Sequence, residues 1–347
     1  MRICIVTDAW EPQINGVVRT LQKTRCILEE RGHQVEVICP NRFRSAPCPS
    51  YPEIRLALAG KNKVGQMIAH FRPQALHIAT EGPLGYAARR WAMQSGMPFT
   101  TAFHTHFPQY LARRTGLSEG LFWPAMRRFH APSSAVLCAT DSLKQELIRR
   151  GVPHTRPWSR GVDLAAFGPE DPRDEAMTAL AGDRAKLLFV GRVAIEKNLE
   201  AYLALDIDAA KFVVGSGPQL KELERKFPDA YFLGARSGAA LASAYRTADA
   251  FVFPSKTDTF GLVMIEALAS GTPVAAYDVM GPRDILSSEV GAVGPDLAAN
   301  VIRALSLDQA SCVEHARRYS WEAATDMFED ALIPLGPSIA ARAMHSA

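Results

Sequence analysis

Two cations five residues apart, Arg192 and Lys197, punctuate the segment Gly191-Arg192-Val193-Ala194-Ile195-Glu196-Lys197-Asn198, which follows a short apolar run. A glycine, a guanidinium and an ammonium at a helix start can offer backbone N–H groups and two positive charges to one diphosphate. The same pattern also describes surface charges opening an ordinary helix. Further along, Pro254-Ser255-Lys256-Thr257-Asp258-Thr259-Phe260-Gly261-Leu262-Val263-Met264-Ile265-Glu266 sets two carboxylates eight positions apart, at Asp258 and Glu266. With Gly261 opening a helix between them, free N–H groups would face a ligand while Glu266 points along the same wall. Such carboxylates suit bidentate acceptance from the vicinal hydroxyls of a sugar. An acid inside the apolar stretch Leu262, Val263, Met264, Ile265, Ala267, Leu268 also needs a partner if it is buried. A third loop, Gly215-Ser216-Gly217-Pro218, would let backbone approach a ligand closely, although such turns are common connectors between strand and helix.

Metal and thiol chemistry find less support. The Asp-x-Asp at Asp206-Ile207-Asp208 precedes an apolar run instead of ending one and reads as a solvated turn. The six cysteines are scattered, without a Cys-x-x-Cys pair or a Cys/His cluster at ligand spacing, and read as reduced thiols. His104, in Phe103-His104-Thr105-His106-Phe107, taken alone reads more readily as a satisfied core residue than as a functional group.

The elements that must carry these loops are short apolar runs alternating with helical stretches. In the first half strands are predicted at Arg2–Thr7, Gln34–Cys39, Ile54–Leu58, Ala75–Ile78, Phe99–Phe103 and Ala135–Ala139. In the second they fall at Lys186–Val190, Lys211–Val214, Ala230–Leu233, Ala250–Phe253, Pro273–Tyr277 and Ala292–Val293. This alternation implies two parallel sheets flanked by helices. In such sheets ligands sit beyond the carboxyl ends of the strands, where the loops above lie. The expected division is residues 1–168, a proline-rich linker near Gly168–Asp174, residues 174–320, and a C-terminal helix within 321–347 that would cross the seam.

Length agrees, since 347 residues exceed what one core usually supports. A chain 48% hydrophobic and 22% charged is globular. The net charge of +3 hides an asymmetry: residues 1–160 hold 22 Lys and Arg against 10 Asp and Glu, and the remainder 17 against 26. A basic half suits a nucleic acid, an anionic membrane or an anionic substrate, and composition does not choose. Neither a signal-like h-region nor a run of ~18 apolar residues is present, so a cytoplasmic protein is expected.

Jointly, Gly191-Arg192-x4-Lys197-Asn198, Gly215-x-Gly217-Pro218 and Ser255-x2-Asp258-x-Phe260-Gly261-x4-Glu266-Ala267-x3-Gly271-x-Pro273-Val274 resemble the retaining family-4 glycosyltransferases, including bacterial lipid mannosyltransferases. Thr7-Asp8-x2-Glu11-Pro12-x2-Asn15-Gly16-Val17 and the segment around His104 are similar to that family's first and fifth loops. The resemblance implies an α/β chain of GT-B fold, two Rossmann-like doubly wound domains facing each other across a cleft. It implies Arg192 and Lys197 on the donor diphosphate, the Gly16 backbone on the distal phosphate, Glu266 on the ribose and Asp258 on the transferred sugar. Gly217, Phe260, Gly261 and Leu262 would line the donor, and His104 would stand near the reaction centre. The family usually has Glu where this chain has Asp258. The implied reaction is front-face transfer of a hexose from a UDP- or GDP-linked sugar, the leaving diphosphate taking the acceptor proton, with no metal or other cofactor.

The implied acceptor is a lipid or a lipid-linked glycan. Tyr110-Leu111-Ala112-Arg113-Arg114 and Leu121-Phe122-Trp123-Pro124-Ala125-Met126-Arg127-Arg128-Phe129 alternate aromatic and paired basic residues as interfacial helices do. Peripheral docking on an anionic leaflet at the cytoplasmic face of the inner membrane is therefore expected, against the alternative that these aromatics fill the core. A non-catalytic nucleotide- or nucleic-acid-binding protein is the second reading. It is disfavoured because no GxGxxG and no nucleic-acid motif occurs, and no nucleic-acid partner is expected.

Overall fold

Ile3, Cys4, Ile5 and Val6 of β1 (Arg2–Val6) are all fully buried, as in a parallel strand covered by helices on both faces. The computed structural model, which describes residues 1–334 apart from 14, 49–50, 105, 171 and 259, divides into two compact units. One is Met1–Ser159 with the chain from Trp321 onward, the other Arg160–Ser320.

In the first unit β1 leads to α1 (Gly16–Glu30), β2 (Gln34–Ile38), β3 (Ser45–Cys48), β4 (Tyr51–Ala57), α2 (Lys61–Phe71), β5 (Ala75–Ile78) and α3 (Pro83–Ser95). Then come β6 (Thr100–Phe103), α4 (Phe107–Thr115), α5 (Trp123–His130), β7 (Ala135–Cys138), α6 (Asp141–Arg149) and β8 (Thr155–Pro157). Six strands pair in parallel in the order β2-β1-β5-β6-β7-β8. The strand expected at Ile54–Leu58 is not one of them: it belongs to β4, which pairs antiparallel with β3 in a separate two-stranded sheet. Apolar clusters fill both faces, one around Val64, Ile68, Leu84 and Phe129 and the other around Leu21, Leu28, Trp158 and Phe328.

The second unit runs α7 (Glu175–Ala181), β9 (Ala185–Val190), α8 (Leu199–Leu203), β10 (Ala209–Val214), α9 (Leu220–Lys226), β11 (Tyr231–Phe232) and α10 (Gly238–Thr247). It continues through β12 (Ala250–Phe253), α11 (Leu262–Ala269), β13 (Val274–Tyr277), α12 (Met280–Ile285), β14 (Gly291–Gly294), α13 (Leu297–Ala304) and α14 (Gln309–Ala316). Its parallel sheet has the order β11-β10-β9-β12-β13-β14, which is the doubly wound Rossmann arrangement. Strand order reverses between β9 and β12 here, and between β1 and β5 in the first unit. The loops leaving those strands border the crevice where such sheets take ligands.

The segment expected as linker is bound into the second unit. Val162 bridges Ser320, and the Arg246 guanidinium donates to the carbonyls of Gly168 and Pro172 at 3.1 and 3.2 Å. The seam between units therefore falls at Ser159/Arg160 and Ser320/Trp321. Within the first unit α15 (Trp321–Ala331) packs on α1, where Arg31 meets Asp326 at 2.7 Å and Glu329 at 3.1 Å.

Candidate functional site

The switch point of the second sheet brings together two residues 61 positions apart. Lys197, in the loop after β9, places its Nζ 2.6 and 2.8 Å from the two carboxylate oxygens of Asp258, in the loop after β12. Both side chains are half-buried, each 24% exposed. The loops are stitched around the pair. Asn198 adopts the left-handed conformation (φ 55°) that its short amide tolerates, and its Nδ2 donates to the Pro254 carbonyl at 3.1 Å. The Ser255 and Thr257 hydroxyls both donate to the Glu196 carbonyl at 3.4 Å.

Arg192 is exposed in the turn before Val193. That turn is braced by the neighbouring loop: Val193 N–H donates to the Ser216 carbonyl at 2.9 Å, and a Cβ on Gly217 would stand 2.3 Å from the Val193 carbonyl oxygen. The close approach expected of Gly217 thus includes one to the chain itself, holding the loop that carries Arg192 and Lys197.

Gly261 caps α11 with φ 93°, a conformation that favours glycine. Leu262 opens the helix half-buried, and Glu266 lies in its second turn at 2% exposure. The partner its burial demands is the Tyr245 hydroxyl on α10, which donates to Glu266 Oε2 at 3.0 Å. Phe260 is 5% exposed and its ring meets Tyr319 edge-on at 6.1 Å. What it can offer a ligand is main chain, since the ring serves the core. The Asp206/Asp208 pair lies between α8 and β10, at the amino end of that strand.

Two further residues expected from the sequence, Gly16 and His104, belong to the first unit. Gly16 is exposed at the start of α1, where Asn15 Oδ1 accepts from the amides of Val17 and Val18, both at 3.0 Å. His104 follows β6, 9% exposed, its ring 5.3 Å from that of Trp158. Thr105 lies outside the described residues.

Sequence reasoning attached no role to Asp8, although it sits in a quoted motif. Its carboxylate crosses the switch point of the first sheet to accept from the amides of Leu84 (2.9 Å) and Gly85 (3.2 Å) in the first turn of α3 and from the Thr80 hydroxyl (2.9 Å). Burial raises its pKa above the usual carboxylate range, against those three bonds. The signal was an acid directly after a buried strand.

Among the described residues, His106, Glu119 and Glu146 bring ligand-type atoms within 4.8 Å of one another. With Arg150 they form a network of hydrogen bonds and ion pairs. Gln109 N–H donates to His106 Nδ1, so Nε2 carries the proton and faces Glu146 Oε2 at 3.4 Å. A metal would need that lone pair. Arg150 already lies 3.3 Å from Glu119 and 3.6 Å from Glu146. The His106 bond lowers the pKa of Glu146, with Arg150 adding to the effect.

The interfacial pattern is corrected in part. On α5 the aromatics point inward: Trp123 and Phe129 are 2% and 0% exposed, while Arg127 and Arg128 are exposed. The outward apolar residues nearby are Leu117 and Leu121. The side chains of Tyr110, Arg113 and Arg114 lie outside those described. Among the described residues no helix is long and apolar enough to cross a membrane.

Two doubly wound units of this kind are the architecture of the GT-B fold. Residues 14–166 match Glycosyltransferase Family 4 and residues 171–323 match Glycosyl transferases group 1, and the chain belongs to this glycosyltransferase family. It is 32% identical over 310 residues to a GDP-mannose-dependent alpha-mannosyltransferase of Mycolicibacterium smegmatis, covering 83% of this chain and 82% of the relative. It is 26% identical to an alpha-monoglucosyldiacylglycerol synthase of Streptococcus pneumoniae, covering 88% and 78%. The fold is shared with sucrose-phosphate synthase from Thermosynechococcus elongatus, at TM-score 0.74 and 20% identity over 95% and 97% of the two chains.

Proposed function

We propose that the protein transfers a hexosyl group, with retention and without a metal ion, from a nucleotide diphosphate sugar to a hydroxyl of a lipid or lipid-linked glycan. The observation that carries this reading is the Lys197–Asp258 pair on the two loops at the switch point. Arg192 stands on the first of those loops, and the start of α11 follows the second. Lys197 and Arg192 neutralise the diphosphate, Asp258 and Glu266 accept from hydroxyls of the sugar and the ribose, and backbone at Gly217, Phe260, Gly261 and Leu262 lines the donor. For the first unit's share we propose His104 and the Gly16 main chain.

In the proposed step the acceptor oxygen bonds to the anomeric carbon as the bond to the diphosphate oxygen breaks. The electron pair leaves with the diphosphate, which also takes the acceptor proton. Fixed cations and helix N-termini stabilise the charge that develops, so the catalysis is electrostatic preorganisation, not side-chain acid–base transfer. The GDP-mannose-dependent relative makes GDP-mannose the first donor to test, and the monoglucosyldiacylglycerol synthase supports a diacylglycerol-type acceptor. Exposed Leu117, Leu121, Arg127 and Arg128 are the residues we propose to meet an anionic leaflet, from the cytoplasmic side.

The test is a thermal-shift panel of GDP- and UDP-linked sugars. A donor at 100 times its Kd adds about 2.7 kcal/mol of stability. One nucleotide sugar is expected to raise the unfolding temperature of the parent chain and much less that of Lys197→Ala. No shift with any of them would reject the reading.

A further inference from the structure

We propose that Asp258 is a displaceable counter-ion of Lys197 that makes the site discriminate against the bare nucleoside diphosphate and so speeds departure of the spent product. The inference rests on the donor reading given above and adds a function for the pair itself.

The ammonium engages both oxygens of one carboxylate, at 2.6 and 2.8 Å. The contact is not an accident of two loose side chains. Side-chain bonds from Asn198, Ser255 and Thr257 to main-chain carbonyls tie the loop after β9 to the loop after β12. A diphosphate that takes up Lys197 must therefore compete with Asp258 for the same charge and, once bound, stands beside an anion whose partner it has taken. Like charges placed together at a part-buried site are unfavourable.

The sugar-bearing donor has a remedy that the bare diphosphate lacks. Its hydroxyls can donate to the carboxylate and replace the bonds lost from Lys197. When the sugar has moved to the acceptor those donors go with it, and Asp258 is left as an unsatisfied anion facing the diphosphate. Its return to Lys197 favours release. The same carboxylate thus helps to hold the substrate and to expel the product, because its hydrogen-bond partners differ between the two states.

The experiment is calorimetric titration of the parent chain, Asp258→Asn, Asp258→Glu and the control Glu196→Gln with GDP, UDP, GDP-mannose and UDP-glucose at one ionic strength. The Asn variant is expected to bind the preferred bare diphosphate about tenfold more tightly and its sugar conjugate more weakly, so that preference for the conjugate falls. The Glu variant, which keeps the charge, and the Glu196→Gln control are expected to bind the bare diphosphate as the parent does. Unchanged or weaker diphosphate binding by Asp258→Asn, with the parent binding normally, overturns the inference and leaves the donor site standing. Failure of the parent to bind any of the four overturns both. If the Asn variant does not fold, the parent decides: free mannose or glucose should tighten its binding of the matching diphosphate by satisfying Asp258, and absence of that synergy overturns the inference.

Discussion

The Tyr245 hydroxyl donates to Glu266 Oε2 at 3.0 Å, joining α10 to the second turn of α11 where almost no solvent reaches. An acid buried among apolar neighbours is stable only with such donors, and loss of one costs about 1–3 kcal/mol. Tyr245→Phe is therefore expected to lower the urea midpoint and to weaken nucleotide-sugar binding several-fold by freeing the Glu266 carboxylate to turn. Equal midpoints and equal affinities would remove Tyr245 from the account.

Asp8 holds the first turn of α3 from across the sheet. Asp8→Ala strips two helix amides and the Thr80 hydroxyl of their acceptor and is expected to destabilise by about 1–3 kcal/mol in denaturant titration. Asp8→Asn keeps one acceptor oxygen without a buried charge and should lose clearly less. A larger loss for Asn than for Ala would contradict the capping role.

His77 is fully buried between the rings of Trp158 and Phe328, with Nδ1 2.8 Å from the Thr100 hydroxyl. Burial lowers its pKa from 6.5 to about 3. Between those values the unfolded chain takes up a proton that the folded chain refuses, so stability rises with pH there. The contribution is complete above 6.5 and is lost as pH falls toward 3. The acid limb of the stability profile should be shallower in His77→Asn, whose amide can still meet Thr100. Parallel profiles for the two proteins between pH 4.5 and 7 would refute this assignment.

The proposed membrane attachment through Arg127 and Arg128 must depend on lipid charge and on salt. Each arginine near an anionic leaflet contributes about 1 kcal/mol, screened within about a Debye length. Co-sedimentation is expected with anionic vesicles at low salt, to weaken at high salt, and to fall about tenfold or more in Arg127→Gln/Arg128→Gln. Equal, negligible binding under every condition would favour a soluble acceptor.

Much of the fold is legible in the sequence because parallel strands buried on both faces are continuous apolar runs. Ala75–Ile78 and Ala250–Phe253 are bounded by that criterion alone. The edge strand β8, Thr155–Pro157, ends on a proline, follows another at Pro153 and exposes Arg156 and Pro157, so it carries no such signal. The pairing of α15 with α1 buries Phe328 against Leu21 and Leu28 and sets Arg31 against Asp326 and Glu329, partners almost 300 positions away that no local pattern announces. The cations and carboxylates of the site are visible as residue types beyond strand ends. That Lys197 meets Asp258 is not, because it follows from the strand order, which sets β9 beside β12. Tyr245, a plain apolar-face aromatic in sequence, meets Glu266 only when α10 is laid against α11.

The central claim, sugar transfer driven by Arg192 and Lys197 at the diphosphate, is tested most directly by one rate. This is the acceptor-dependent release of nucleoside diphosphate, measured in excess EDTA for the parent, Arg192→Ala and Lys197→Ala, with the donor that stabilises the parent most. The parent is expected to turn over undiminished by the chelator, and each variant to be slower by roughly ten- to several-hundred-fold, about 1.5–3 kcal/mol of transition-state stabilisation. Both variants within about twofold of the parent, or a parent rate abolished by EDTA and restored by Mn²⁺ or Mg²⁺, would contradict it.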